Sequence, residues 1–429
     1  MNKNLYRLTI VYWVLFLFKP GWLIGYYVPS LIFLAGINKY ILVFLFVSTF
    51  FKKADYKFLL PFLILCAISL VLADNTGAGR PYLKLLFQYY MLAVVTFVYV
   101  DDYKKTNFLL NIIICHFIFY GLWGIVQNGK VDWHVRLNEQ NAFGPYMVYG
   151  VAFSFFRLFS PGSIVERIVA YSALFLGLIG IVLTFNMGSL LAVSILGIYL
   201  FIRTPNKLKS LLYLCLMFLV FIGTINYFTP NGTDYFQEID RLINDSGSSG
   251  MGGERLFLWR CGIRAFLRNP IFGVGLNNFG VLLPRLTSDA EISMYDISFQ
   301  SAGALWGFQL HNSHLQVLCE LGIVGTIFFS LLLKNFISNN LYMRSIIRRN
   351  EGNNLKLSHL KQFDKKNSLI KAYVNIYALE NCMVVYAICG LFYNLLFYPE
   401  LWILLLLNEN LKRNLQKSVG NDGAKPVDK

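Results

Sequence analysis

The stretch KNFISNNLYMRSIIRRNEGNNLKLSHLKQFDKKNSLIK, residues 334–371, decides how this chain is laid out. It holds Lys334, Arg344, Arg348, Arg349, Lys356, Lys361, Lys365, Lys366 and Lys371 against only Glu351 and Asp364, and apolar runs lie on both sides of it. Short links between membrane passes keep their Lys and Arg on the cytoplasmic side, so this segment is expected inside. Alternation then puts Lys52-Lys53, Lys104-Lys105, Arg157 and Arg167, Arg203 with Lys207 and Lys209, and the C-terminal Lys412, Arg413 and Lys417 on the same side.

Composition agrees. With 56% apolar, 17% aromatic and only 14% charged residues, the chain belongs to the membrane class. A helix needs about 20 apolar residues to cross the hydrocarbon. Passes are readable at 38–51, 58–73, 83–100, 107–126, 142–160, 164–184, 187–203, 208–228, 314–334, 372–391 and 393–408. Residues 8–36 form one more, interrupted at Lys19-Pro20-Gly21, where proline removes a donor and glycine loosens the backbone. The expected fold is an all-α polytopic membrane protein of about 12 transmembrane helices with one long extracytoplasmic loop. Its parts are an N-terminal bundle over 1–228, the loop 229–313, a C-terminal set of helices over 314–408 with a cytoplasmic loop 335–371, and a cytoplasmic tail 409–429. The N-terminal Lys3 and Arg7 precede an apolar run without a small-residue cleavage site, which reads as a retained first pass.

The net charge of +15 does not indicate nucleic acid, because the cations sit in the links and not on one polar face with aromatics between them. The seven cysteines form no CxxC pair, so neither a zinc site nor a disulfide framework is indicated.

The loop 229–313 carries Arg241, Arg255, Arg260, Arg264, Arg268 and Arg285 and no lysine. Arginine grips phosphate with a planar, always charged fork, whereas lysine offers a mobile point charge. Arg260, Arg264 and Arg268 recur every fourth residue and form a stripe on a helix, with Leu256, Trp259, Ile263, Phe266 and Leu267 over much of the remainder. Such a helix suits the membrane interface, either to meet a diphosphate or merely to neutralise anionic headgroups. Asn269-Pro270 should end it, and Gly273-Val274-Gly275 should turn tightly after it.

Where the loop re-enters the membrane, His311-Asn312-Ser313-His314 places two histidines three residues apart, on one side of a helix. Histidine is a natural general base near neutral pH, able to take a proton from a sugar hydroxyl; capping of the helix is the plainer reading. A metal needs a third ligand, and none is spaced for it. In the other substantial outer link, 127–141, Arg136 is the exposed cation of interest. Glu320, Glu380, Gln88 and His116 are polar groups inside apolar passes, costly in lipid and hence worth a functional suspicion.

Three ordered segments carry a resemblance: Glu254-Arg255-Leu256-Phe257-Leu258-Trp259, then Asn269-Pro270-Ile271-Phe272-Gly273-Val274-Gly275-Leu276-Asn277-Asn278-Phe279, then His311 through Gly325. Together they resemble the signature of the O-antigen ligase and polymerase family, whose architecture is GT-C-like. The resemblance implies a glycosyltransferase that passes a glycan from undecaprenyl pyrophosphate to a hydroxyl of another sugar, with no cofactor and no obligatory metal. It implies His311 as the base or acceptor-orienting residue, Arg255 and Arg264 as pyrophosphate contacts, and Arg136, followed by Asn141-Ala142-Phe143, as the shorter outer-loop arginine. Arg260, Arg268, His314, Asn312 and Gly275 complete the expected substrate-binding set; the interval from Arg264 to Gly275 is similar to one found in polymerases. Family members often carry an arginine at the outer turn before the eighth pass, where this chain reads Asn186-Met187-Gly188-Ser189.

The reading that follows is a metal-independent polymerase of lipid-linked repeat units in the bacterial cytoplasmic (inner) membrane, active on the extracytoplasmic face. Its expected partners are the undecaprenyl-pyrophosphate-linked oligosaccharide, a sugar acceptor, membrane lipid and a chain-length regulator, with no nucleic acid. A ligase passing finished glycan to a lipid-A core would share the site. A transporter of the lipid-linked unit would show internal repeats and cations facing both sides.

Overall fold

A computed structural model of the chain describes residues 3–52, 56–160, 163–203, 251–294, 302–351 and 368–421, with a few more between 207 and 223. The pass expected over 208–228, the loop opening at 229–232, Arg241, the run 245–250, the basic residues from Lys356 to Lys366 and the last residues of the tail lie outside these wholly or mostly.

Among the described residues there is no strand. The helices are α1 (Lys3–Phe18), α2 (Pro20–Tyr27), a 3-10 turn Pro29–Gly36 leading into α3 (Ile37–Thr49), α4 (Leu60–Val71), α5 (Thr76–Tyr99), α6 (Tyr103–Val126), α7 (Gln140–Arg157), α8 (Ile164–Leu183) and α9 (Met187–Arg203). Then come α10 (Met251–Arg268), α11 (Phe279–Leu286), α12 (Asp289–Met294), α13 (Ser313–Glu351), α14 (Ser368–Cys389) and α15 (Pro399–Asn421). Six of the described helices are long and apolar enough to cross a membrane, and α1 with α2 passes the same test as a pair bent by 49°. Phe44, Val71, Ile198 and Ile327 face outward from the bundle, as side chains do where the solvent is hydrocarbon.

Local chemistry sets the helix ends. Lys19 adopts a left-handed φ of 48° at the break between α1 and α2, because Pro20 disfavours helical geometry in the residue before it. Asn75 caps α5, Asp102 caps α6, and Ser163 with Glu166 forms a capping box on α8. Two ends differ from expectation. The helix expected over 314–334 runs on to Glu351, because Asn339 and Asn340 pair with Asn408 of α15 and give the polar side chains partners inside the bundle. The last helix begins at Pro399 rather than 393, since proline suits a first helical turn; residues 391–398 form an irregular return instead.

The described residues 251–294 are not a linker. Phe257, Leu258, Cys261, Val274, Phe279 and Leu283 are among the buried residues of a small core of its own, apart from the large core of the bundle. That cap is fixed to the bundle through a break in α13 at Gly322, whose φ of 66° is not helical. The strip 270–275 fills the break: the N–H groups of Val274 and Gly275 donate to the carbonyls of Cys319 and Glu320 at 2.9 and 3.0 Å, and those of Ile323 and Val324 donate to Pro270 and Ile271 at 2.8 and 3.2 Å. Backbone groups left open by the break thus find partners in the cap.

Close approach demands glycine on both sides. A Cβ on Gly322 would come 2.4 Å from the Ile271 carbonyl oxygen, and one on Gly273 would come 2.3 Å from the Glu320 carbonyl carbon. Gly322→Ala is therefore expected to lower stability by about 2 kcal/mol or more. Gly36→Ala, where nothing lies within 4 Å, should leave stability nearly unchanged. Thermal unfolding of the two detergent-purified variants checks this; equal midpoints would mean that the docked strip does not hold the cap.

Candidate functional site

His311 sits two residues ahead of α13 in the left-handed region, at φ 53°, and not on the helix with His314. The expectation that the two histidines share a helical side is thereby corrected: Ser313, not His311, opens the helix. The segment is sewn to the return between α14 and α15. The Ser313 N–H donates to Gly390 O at 2.7 Å, and the Ser313 hydroxyl donates to Tyr393 O and accepts from the Leu395 N–H, each at 2.6 Å. Asn312 accepts from the Leu315 N–H at 2.9 Å as a cap, and its own N–H donates to Asn394 Oδ1. His314 Nε2 lies 3.0 Å from the Ala387 carbonyl oxygen, which ties that ring to α14.

Holding a non-glycine residue at positive φ costs free energy and persists only where neighbours impose it. Here they leave the His311 ring beside Arg255. Burial lowers the pKa of the imidazole below its ordinary value, and the charge of Arg255 lowers it further. Both effects favour the neutral ring, the form able to accept a proton. Arg255 itself lies over the Phe392 ring at 5.9 Å, a cation–π contact that anchors it to the same return.

Arg136 lies elsewhere in the sequence, in the link between α6 and α7. Its guanidinium donates to the Tyr89 hydroxyl at 3.1 Å and lies 5.6 Å from the Tyr398 ring centre. His134, buried and with its pKa lowered by that burial, accepts on Nδ1 from the N–H groups of Arg136 and Leu137, fixing the tight turn that presents Arg136.

Two cavities of about 330 Å³ each meet at this arginine. One is mostly apolar and reaches into the bundle past Phe16, Leu42, Phe117 and Leu404, with Lys19, Gln88 and Glu400 in its wall. The other is polar and is lined by Asn138, Glu139, Asn277, Gln309, Gln316 and Asn394, with Tyr82 and Phe397. Leu85, Val135, Arg136 and Tyr398 belong to both. His311 is not among the lining residues of either cavity; its neighbours Gln309 and Asn312 both bond the side chain of Asn394, which lines the polar one.

The remaining cations of the cap are otherwise engaged. Arg264 forms a two-pronged ion pair with Glu291, both contacts 2.7 Å, and also donates to Leu286 O. Arg268 donates to Arg285 O at 3.3 Å, and Arg260 is exposed. On α10, Leu256, Ile263 and Leu267 are exposed along with Arg260, while Phe257, Leu258, Cys261 and Ala265 form the buried side. An apolar outer face edged by arginine is what a membrane interface accommodates. Gly275 has φ 105°, packs against Ala73 and gives its N–H to Glu320 O, so both glycines of the turn serve the docking of the cap.

Lys19, His134, Gln316 and Asn394 reach the cavities without having been singled out by the sequence as site residues. The signal available in advance was weak: an X-Pro break for Lys19, and polar residues beside apolar passes for the others. Among the suspected intramembrane polar groups, Glu380 is paired with Arg203 and Arg344, His116 with Tyr146, and Gln88 lines the apolar cavity. The turn at Asn186 carries no cation, but its side chain binds Tyr393, Asn141 and the Ser189 N–H, bracing the return next to His311. Among the described residues no three His, Cys, Asp or Glu side chains cluster as metal ligands.

Residues 172–330 match the family model described as O-antigen ligase. The match runs from within α8 to within α13 and takes in Arg255, Arg264, Gly275 and His311, in agreement with the resemblance read from the three ordered segments. Over those residues the chain is similar to the proteins that this family model describes. No curated protein matches it.

The ion pair with Arg264 holds the Glu291 carboxyl below its ordinary value of 4.5. A carboxyl whose pKa is depressed by folding stabilises the fold above 4.5, and that contribution is lost as pH falls from there through the depressed value. Hydrogen-exchange protection over residues 279–294, taken relative to the intrinsic rate at each pH, should therefore fall in that acid window. Glu291→Gln should exchange faster at neutral pH and lose this pH dependence; an unchanged acid response in the variant would mean that another group orders the cap.

Proposed function

We propose, with the O-antigen ligase match of residues 172–330 as premise, that this chain is a glycosyltransferase polymerising polyprenyl-pyrophosphate-linked oligosaccharide units. In this reading it has twelve passes in the bacterial cytoplasmic membrane and works from the extracytoplasmic side. The observation that carries the reading is the meeting of an apolar and a polar cavity at Arg136. A lipid-linked sugar has the same order of parts: a hydrocarbon tail, a diphosphate and a hydroxyl-rich head. The tail fits the apolar cavity, the head fits the polar one, and the guanidinium at the neck stands where the diphosphate passes. Lys19 adds a second cation to the wall of the apolar cavity.

The reaction needs a proton acceptor and a stabiliser for the leaving group. The acceptor hydroxyl oxygen attacks the anomeric carbon of the donor sugar while its proton goes to the neutral His311 ring. The bond from the anomeric carbon to the pyrophosphate oxygen breaks, and the lipid diphosphate departs with the electron pair. Fixed guanidinium groups in a partly dehydrated site stabilise that charge, and holding donor and acceptor together supplies proximity. Arg136 and Arg255 are assigned this task. Arg264, paired with Glu291, orders the cap instead, and Arg260 and Arg268 meet the membrane surface. A ligase would use the same groups and differ only in the acceptor admitted, and the family description names that activity.

Purified protein in nanodiscs, given a lipid-linked repeat unit and no other acceptor, should produce a ladder of longer lipid-linked glycans. Transfer only after a lipid-A core is added would establish the ligase instead. His311→Ala should slow elongation by about 10²–10⁴-fold. In wild type the acid limb of the rate profile should lie below the ordinary histidine value of 6.5, and Arg255→Gln should move it upward, since a cation no longer opposes protonation. A His311→Ala protein elongating at the normal rate would remove the base from the mechanism.

A further inference from the structure

Gln316 lies in the first turn of α13, only 4% exposed, and lines the polar cavity. Its Nε2 donates to Glu320 Oε2 at 3.3 Å, one helical turn on. The same carboxylate oxygen accepts from the Asn277 N–H at 2.9 Å, and Glu320 is 3% exposed. Because this oxygen already acts as an acceptor toward the Asn277 N–H, the amide turns its NH2 end to it. The other end, Gln316 Oε1, is buried with no hydrogen-bond partner.

A buried acceptor left unpaired is costly, and natural structures rarely tolerate one without a ligand to complete it. The rest of the cavity indicates which ligand. Its polar groups are mostly neutral amides, those of Asn138, Asn277, Gln309 and Asn394. Its charged lining residues, Arg136 and Glu139, are of opposite sign. Tyr82, Phe397 and Tyr398 supply ring faces. A carbonyl oxygen repels phosphate but accepts from a hydroxyl; amides offer both donors and acceptors, and aromatic faces take the C–H faces of a pyranose. The volume of about 330 Å³ lies at the lower end of the usual range for small-ligand sites.

We infer that the polar cavity is a subsite for a neutral sugar, in which Gln316 Oε1 accepts a hydrogen bond from one sugar hydroxyl and so helps decide which sugar is admitted. Glu320 is the positioning residue that holds the amide in that sense. The inference rests on the reading of this region as a glycan-transfer site and gives that site a specificity-determining residue. It also accounts for the carboxylate in the span: Glu320 receives the N–H of the docked cap on one side and orders Gln316 on the other.

Direct binding tests this without turnover. Saturation-transfer NMR on the full chain in nanodiscs would use glucose, galactose, mannose, N-acetylglucosamine and rhamnose as probes, with inorganic pyrophosphate as the anionic probe. At least one sugar should bind wild type, and Gln316→Met should weaken it about tenfold while pyrophosphate binding is unchanged. The deoxy form of that sugar lacking the recognised hydroxyl should bind wild type as weakly as the parent sugar binds the variant, and should lose nothing further on mutation. Glu320→Gln, which frees the amide to turn over, should weaken the sugar about threefold and serves if Gln316→Met does not fold. Sugars binding both proteins equally, no sugar binding wild type, or a loss confined to pyrophosphate would each overturn the inference. Gln316-dependent sugar binding by a protein that transfers glycan neither to another repeat unit nor to a lipid-A core would instead retain the subsite and reject the transfer reaction.

Discussion

The site depends on the docking of a cap strip into a broken transmembrane helix. An unbroken helix through residues 319–324 would satisfy its own backbone and present no way to fasten an outer segment at membrane depth. Breaking it at Gly322 exposes carbonyl and amide groups that hydrocarbon cannot serve, and the Pro270–Gly275 strip supplies their partners. The exchange needs backbone-to-backbone contact, so Gly322 and Gly273 face each other with no room for a Cβ. Once the strip is seated, Leu276 to Asn278 reach α5: Asn278 exchanges hydrogen bonds with the backbone of Asn75, and Asn277 donates to Ala78 O. The polar cavity is thus walled by groups from the cap, α5, the foot of α13 and the return before α15.

Much of this layout was legible because the signals are local. Runs of apolar residues mark the passes, Lys19-Pro20-Gly21 marks the bend, and Asn269-Pro270 marks the end of α10 at Arg268. The glycine turn was also readable as a turn, but its use was not. That use depends on Cys319 and Glu320, more than forty residues away. The same applies to Arg264. Fourfold spacing put it on a stripe with Arg260 and Arg268, but the partner that occupies its fork, Glu291, is fixed by the folding back of α11 and α12. Spacing along a helix tells which residues share a side and nothing of what meets that side. His311 and His314 failed for a related reason: i,i+3 is a helical relation, and His311 is not in the helix.

Arg136 shows the converse. In sequence it shares the link 127–141 with Lys130, and apart from the family resemblance nothing distinguishes it from a solvated loop residue. Its position comes from His134, which accepts two backbone N–H groups and turns the link inward, and from Tyr89, which receives the guanidinium. Gln316 draws no notice in the sequence, and Glu320 draws it only as a carboxyl inside an apolar pass. Their meaning comes from burial and from an acceptor atom left over.

The division of labour among the arginines follows from what each can still do. A guanidinium that already holds a carboxylate in both prongs must surrender that pair to take a phosphate, and the exchange gains little. One bonded to a neutral tyrosine hydroxyl and a ring face surrenders nothing comparable. By that reasoning Arg136 and Arg255 remain available to a diphosphate while Arg264 is committed to the cap. Burial and, after it, the charge of Arg255 lower the His311 pKa, so in the proposed reaction the cation assigned to the departing anion also favours the neutral imidazole that receives the proton of the attacking hydroxyl. Charge for the leaving group and neutrality for the base are then two effects of one placement, and that placement is a consequence of where the cap is pinned.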